Sequence, residues 1–363
     1  MLVNSIFDIS IIPNQDNFNY LSSRYGKGFI LTAYPKQLTG IFSFIERLNF
    51  NLFNSVRLFS AIQKIRYRKI LKTVAGCEGV LYCPTTYLNF KSDKLLNVVS
   101  LHDIQEKKYP ENFSKDQRIY RDIRVKYTLR NVSRVQVSSR FMANELVAAY
   151  NAKGSLLVEI SEGVNLQLFR SSRGGMKLAG ELPKLFTIYL TGRFLAHKNH
   201  IEFFEAIDNF RAIPDLVVVI ADTPENLPSE IRNILSRNPE LVVNLTGNLT
   251  DRELVDLYSE ANLVLVPSLY ESSSLPILEA IACGTSVLAS SIPPHLEMAS
   301  NLPVLIYESG NRLSLQQSLV SIKDGLSPLN QADVNSVLTK YDWENIAKVY
   351  IETFKSVIQE SGS

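Results

Sequence analysis

One alternation limits the fold of this chain more than any other feature. Between residues 185 and 307, short apolar runs trade places with stretches of helical character. The runs are Leu185–Thr191 (LFTIYLT), Leu216–Ala221 (LVVVIA), Leu241–Leu245, Leu263–Val266, Ser286–Ala289 and Val304–Tyr307. Between them lie His200–Asn209, Glu225–Ser236, Asp251–Ala261 and Pro276–Cys283. The runs are continuously apolar, as strands are when both faces of a sheet are covered. Parallel strands need a crossover of helix length between them, and the intervening stretches supply it. Thr250 and Glu253 form a capping box that starts one of these helices. The prediction is an α/β domain built on a parallel sheet.

A chain of 363 residues has room for a second domain of ordinary size. The front half predicts strands at Gly28–Tyr34, Gly79–Tyr82, Leu96–Leu101 and Val135–Ser138, with helices rich in basic and aromatic residues between them. The polar, Gly-bearing segment 167–183 (QLFRSSRGGMKLAGELP) reads as a linker. The expected layout is therefore a front domain at 1–166, the linker, a back domain at 184–340 and a terminal helix at 341–363.

Chemistry concentrates at 267–290 (PSLYESSSLPILEAIACGTSVLAS). A strand ends at Pro267, a Ser-rich loop follows, and a helix begins near Pro276. Glu271 and Glu279 bracket the loop with seven residues between them. Ligands of open α/β sheets bind at the carboxyl ends of the strands, where Glu271 falls. The helix start offers free N–H groups and positive partial charge. Upstream, Thr191–Gly192–Arg193 ends another strand, and Lys198 lies five residues beyond the Arg. Gly permits close backbone approach, and Arg beside Lys suits a diphosphate. Two acids and two cations on one sheet edge suit a ligand with many hydroxyls and an anionic group.

These residues resemble the retaining glycosyltransferases of family 4, which have the GT-B fold of two Rossmann-like domains facing across a cleft. Glu271 and Glu279 match that family's spaced pair of Glu. Gly192, Arg193 and Lys198 match its strand-end cations. Glu162–Asn165 matches a turn before its linker, and Gly247–Glu271 follows its pattern throughout. His102–Asp103, followed by Tyr109–Pro110, resembles a front-domain segment whose His faces the donor sugar. Asp342–Trp343–Glu344 and Ala347 resemble the terminal helix that crosses back onto the front domain.

The resemblance implies roles. Arg193 and Lys198 hold the donor's diphosphate, with Gly192 beside them. Ser272, Ser273, Ser274 and Leu275 offer donors to it, and Glu279 binds the ribose hydroxyls. Glu271 and His102 contact the donor sugar near the reacting carbon. Glu297 matches an acidic position of unassigned role, and Ser139 and Arg140 are structural or line the cleft. No cofactor and no metal are expected; His197 and His200 have no third ligand near in sequence.

Two departures stand out. The loop after Glu271 is Ser272–Ser273–Ser274, where the family favours Gly. The family's front Gly-Gly loop is missing from residues 1–40, where Gly26 and Gly28 are the nearest candidates. A shortened front domain, unusual acceptor handling and lost activity are the three readings of that gap.

Charge adds a partner. Residues 1–160 hold 23 Lys and Arg against 12 Asp and Glu, net +11, while the rest holds 15 against 24, net −9. A basic front faces something anionic. The segment Ser60–Val74 (SAIQKIRYRKILKTV) mixes Ile62, Ile65, Ile70 and Leu71 with Lys64, Arg66, Arg68, Lys69 and Lys72. That mixture suits an anionic membrane surface, and equally a helix packed on the front sheet. No nucleic-acid motif accompanies it. The three Cys (Cys77, Cys83, Cys283) suit a reducing compartment, and the start lacks the marks of a signal peptide. No apolar window is long enough to span a bilayer. The expected protein is cytoplasmic or peripheral on the inner face of a membrane. It moves a hexose-type sugar from a nucleotide-diphosphate donor to a glycan or lipid-linked acceptor, in surface polysaccharide synthesis. The alternative is a non-catalytic GT-B subunit supporting a partner transferase.

Overall fold

The structure is a computed structural model that describes residues 55–68, 71–72, 78–170, 185–325 and 337–362. The predicted strand Gly28–Tyr34 and the question of the front Gly loop lie outside the described residues, as do most of the predicted linker and several residues of the basic segment.

In chain order the front carries α1 (Val56–Arg66), β1 (Val80–Cys83), β2 (Leu96–Ser100), α2 (Gln105–Lys108), α3 (Lys115–Asn131), β3 (Arg134–Val137), α4 (Arg140–Tyr150) and β4 (Leu157–Glu159). The short helix α5 (Leu166–Arg170) occupies the first residues of the expected linker. Then come β5 (Phe186–Leu190), α6 (His200–Ile207), β6 (Leu216–Ile220), α7 (Ser229–Arg237), β7 (Val242–Leu245), α8 (Asp251–Glu260), β8 (Leu263–Val266) and α9 (Leu275–Cys283). The chain closes with β9 (Ser286–Ser290), α10 (Pro293–Ala299), β10 (Val304–Tyr307), α11 (Arg312–Gly325) and α12 (Trp343–Gly362).

Two parallel sheets result, one of four strands in the order β1-β2-β3-β4, the other of six in the order β10-β9-β8-β5-β6-β7. This is the GT-B class of fold. The chain divides into two compact units. One holds the described residues up to Ser100 with Tyr109–Val135; the other holds Leu101–Lys108 with those from Gln136 onward.

In the first unit α1 packs on α3. Ser55 caps α1 by accepting from the Leu58 N–H, and Ser114 with Gln117 forms a capping box on α3. Phe59 and Ile62 are buried, and the Phe59 ring meets Tyr127 edge-on at 5.2 Å. Ile62 thus belongs to the core, while Ile65 is 64% exposed beside Lys64.

In the second unit every residue of β8 is buried, and successive side chains serve opposite faces. Val264 and Val266 pack with α8 and α9; Leu263 and Leu265 pack with α6 and α11. Helices on both sides are the reason its strands read as unbroken apolar runs. The first strand, β5, lies between β6 and β8. Strand order reverses there, so the crossovers from β5 and from β8 leave on opposite faces. The gap between their carboxyl ends is the crevice where such sheets bind ligands.

Candidate active site

Both sequence motifs fall at this reversal. Thr191 continues β5, donating its N–H to Leu265 O at 3.1 Å, and Gly192 follows with φ +84°. That backbone is costly for any residue with a side chain. A Cβ there would also lie 3.1 Å from Lys198 Cδ. Gly192 therefore makes the turn and leaves room for the Lys198 stem. The loop is pinned at two points. His200, first residue of α6, places Nε2 2.8 Å from Thr191 O. His197 O accepts the Leu269 N–H at 2.8 Å.

Lys198 Nζ then meets Glu271 Oε1 at 2.6 Å, with both side chains largely buried. Behind Glu271 runs a column that sequence reasoning missed. Ser268 donates to Glu271 Oε1 at 2.7 Å, and Ser290 donates to Ser268 O at 2.6 Å. His295 places Nδ1 2.9 Å from Ser290 O. Ser268, Ser290 and His295 have no solvent exposure, and His295 Nε2 has no partner. Burial pushes the His295 pKa down to about 4, so the ring is neutral. The residues come from three separate elements, and no short motif announces them.

The Ser-rich loop needs no Gly. Ser272, Ser273 and Ser274 are absent from the residues with positive φ, so ordinary L-residue backbone serves. Ser272 O is held by the hydroxyls of Ser138 at 3.1 Å and Ser139 at 2.6 Å. Ser274 precedes α9 in extended backbone, fully buried, and its hydroxyl has no partner. An unmet buried hydroxyl at a helix start is costly unless something comes to meet it. Leu275 opens α9 and Pro276 follows in its first turn.

Glu279, one turn on, accepts from Tyr258 OH at 2.8 Å. Burial raises its pKa, and the charges of Asp251 and Glu162 add to the rise. Arg193 Nη2 donates to Asn248 Oδ1 at 2.6 Å. Asp222 accepts the Phe194 N–H at 2.7 Å and fixes the turn after Arg193. His102 Nδ1 lies 3.9 Å from Glu162 Oε1, and burial raises the Glu162 pKa.

Two uncertain residues acquire structural roles. Glu297 accepts the N–H groups of Arg140 (3.0 Å) and Phe141 (2.7 Å), capping the start of α4. Ser139 is the N-cap of that helix, accepting from Met142 at 3.2 Å. Among the described residues no cluster of three metal-ligating side chains occurs. No described helix is long and apolar enough to cross a membrane.

The structure thus brings Lys198, Glu271 and Gly192 together, with Arg193, Glu279 and the start of α9 supplied by the same sheet edge. A GT-B chain with cations and acids at the reversal of its larger sheet is the class defined here. Residues 179–318 match the model of the family described as glycosyl transferases group 1. A probable sucrose-phosphate synthase of Thermosipho melanesiensis is 25% identical over 224 residues, 58% of this chain and 50% of its own. The chain spans about half the length of that relative. The O-antigen chain mannosyltransferase RfbU of Salmonella typhimurium is 22% identical over 251 residues, 69% of this chain and 67% of its own. Among solved structures, Anabaena Alr3699/HepE in complex with UDP and glucose matches with a TM-score of 0.66 at 17% identity, over 93% of this chain and 89% of that one.

Proposed function

We propose that this chain transfers a hexose-type sugar, with retention, from a nucleotide-diphosphate sugar to a glycan or lipid-linked acceptor. The observation that carries the reading is the Lys198–Glu271 pair at the strand-order reversal, cleared by Gly192. In this reading Lys198 and Arg193 neutralise charge growing on the leaving diphosphate, where cations act most strongly on the barrier. The start of α9 and the unmet Ser274 hydroxyl donate to phosphate oxygens. Glu279 accepts from the ribose. Glu271 and His102 contact the sugar, whose transition state resembles an oxocarbenium ion. The leaving diphosphate takes the acceptor's proton. The two cations do the neutralising, so the reading calls on no metal and no cofactor. The likeness to the O-antigen chain mannosyltransferase RfbU supports sugar transfer in surface polysaccharide synthesis, and the HepE complex with UDP and glucose supports a nucleotide-sugar donor. An anionic inner membrane face would meet the exposed Ile65 and Lys64 of α1.

The test is a panel of nucleoside diphosphates and their sugars, read by thermal shift and then by transfer. A ligand at a hundred times its Kd stabilises by about 2.7 kcal/mol. Stabilisation by one nucleotide sugar, followed by its turnover, is the expected result. Full turnover in Arg193→Ala/Lys198→Ala would sink the reading. Binding without hydrolysis or transfer would make the chain the non-catalytic partner of a second transferase.

A further inference from the structure

The second unit holds a cavity of about 430 Å³ that the reading above does not use. That is the size of an ordinary small-molecule site. It lies at the carboxyl ends of β3 and β4, where open parallel sheets bind ligands, and is closed by residues of α9, α10 and α12. Gly192, Arg193, Lys198, Glu271 and Glu279 do not line it. It borders the candidate active site through Ser273 of the Ser loop and through Glu162, the neighbour of His102.

Its walls divide by chemistry. Ile160, Leu278, Met298 and Ile346 supply apolar surface. Some of the polar groups are already spent. Glu297 accepts two N–H groups of α4, and the hydroxyls of Ser138 and Ser139 hold Ser272 O. Others are not. Among the described residues, the hydroxyls of Ser161, Ser273 and Tyr341, the Arg140 guanidinium and the Glu159 carboxylate have no hydrogen-bond partner. Lys340 Nζ lies 3.5 Å from Asn301 Oδ1 and 5.1 Å from the Tyr341 ring, with no acid bonded to it. The backbones that carry the three hydroxyls are fixed. Next to Ser161, the Ile160 N–H donates to Val137 O at 2.9 Å, and Tyr341 O accepts the Val164 N–H at 2.8 Å. The carbonyl before Ser273 is the one held by Ser138 and Ser139.

The unspent charges select the ligand. Arg140 and Lys340 stand against Glu159 and Glu162, two cations against two acids. An anion entering the cavity is repelled by the acids, and a cation by Arg140 and Lys340. A polyol meets neither repulsion, because each of its hydroxyls both donates and accepts. A sugar ring adds an apolar C–H face to set against the aliphatic wall.

We propose that this cavity binds a neutral saccharide, with Ser161, Ser273 and Tyr341 as hydroxyl partners and Arg140, Lys340, Glu159 and Glu162 around them. The site stands on its own geometry. The saccharide is a unit of the acceptor glycan, which rests on the proposed transfer, or a free sugar that acts on the enzyme, and the two are separable.

The full chain is titrated by calorimetry with glucose, mannose and maltose, and with glucose 6-phosphate and glucosamine as the anionic and cationic counterparts of glucose. Saturable binding of a neutral sugar, tighter than either charged counterpart, is the expected result. Tyr341→Phe removes one hydroxyl and should weaken that sugar by about three- to tenfold, the scale of one neutral hydrogen bond. Val349 lines the cavity and is 46% exposed, so Val349→Trp should fill space without disturbing the core and weaken the sugar by about tenfold or more. Lys198→Ala should leave the affinity unchanged. No response of the wild type to the three neutral sugars, tighter binding of a charged counterpart, or unchanged affinity in either variant that still unfolds cooperatively overturns the proposal. So does a loss confined to Lys198→Ala, which would put the sugar in the donor cluster. Extension of the bound saccharide, with its KM raised and kcat unchanged in Tyr341→Phe, assigns an acceptor unit. A change in donor turnover without extension, lost in Tyr341→Phe, assigns a free effector. Tyr341-dependent binding in a chain that takes no nucleoside diphosphate would leave this site standing and remove the transfer reaction.

Discussion

Lys198 Nζ and Glu271 Oε1 are 2.6 Å apart, and the two residues reach each other from the ends of neighbouring strands. Neither is held by that bond alone. The Lys stem packs under Gly192, and the Glu oxygen also accepts from Ser268. The pair is a preformed arrangement of opposite charges, with His295 fixed behind it.

Removing the cation should cost turnover far more than fold. Lys198→Ala should lower kcat by roughly 10²–10³, the usual scale for one preorganised electrostatic contact. It also leaves the Glu271 carboxylate short of a partner, so some loss of urea midpoint is expected. Steady-state transfer with the best nucleotide sugar checks the first, and equilibrium unfolding the second.

Gly192→Ala should act on Lys198 through the backbone. At φ +84° the new Cβ is strained, and it presses the Lys stem from 3.1 Å. The expected cost is about 1–2 kcal/mol of stability. Donor affinity should fall with it, because Nζ moves while its charge stays. Unfolding midpoints and donor titrations read both effects.

Acid should weaken the fold before it protonates most carboxylates. Burial holds His200 and His295 at pKa values of about 4. Unfolded, each takes its proton near pH 6.5. Between those values the unfolded chain binds more protons, so stability falls as pH drops from about 6.5 to about 4. By about pH 5 each contributes a loss of about 2 kcal/mol. Glu279 and Glu162, raised by burial, work the other way: their cost is present above the unfolded carboxylate range and eases as pH falls. The net slope should flatten in His295→Gln, measured as urea midpoint against pH.

Glu297→Ala should behave as a lost helix cap. The two N–H groups at the start of α4 lose their acceptor, at about 1–2 kcal/mol. Ser139 still caps α4 and still holds Ser272. Turnover at saturating donor should therefore stay within about threefold of wild type, an effect of under 1 kcal/mol. A collapse in kcat at unchanged stability would instead put Glu297 in the chemistry.

The back sheet was legible because each strand is buried on both faces and each crossover is short. Predicted and observed strands agree to within a residue or two from Phe186 to Tyr307. The first helical turns were less so: Pro224–Asn226 makes a separate short turn, and α7 starts only at Ser229. Strand β4 has three residues, too few for a pattern to show. Gly192, Lys198, Glu271 and Glu279 were legible as motifs. Ser268, Ser290, His295 and Tyr258 were not, because their meeting depends on strand order. The Ser loop departs from the Gly the family favours, and its backbone keeps to the negative-φ region that any residue adopts.

Gly163 and Trp343 bear on how the chain reaches this state. A Cβ on Gly163 would lie 2.6 Å from the indole, so only Gly admits the ring so closely. Next to it, Val164 donates its N–H to Tyr341 O at 2.8 Å and bridges to Asp342. These partners leave the ribosome late. Until they do, the segment before α5 lacks its neighbours, however early the strands around it form. Contacts so distant in sequence slow folding and expose apolar surface meanwhile. The docking of α12 should thus be a late, separately observable phase of refolding, and a chain stalled before Tyr341 should remain a chaperone client.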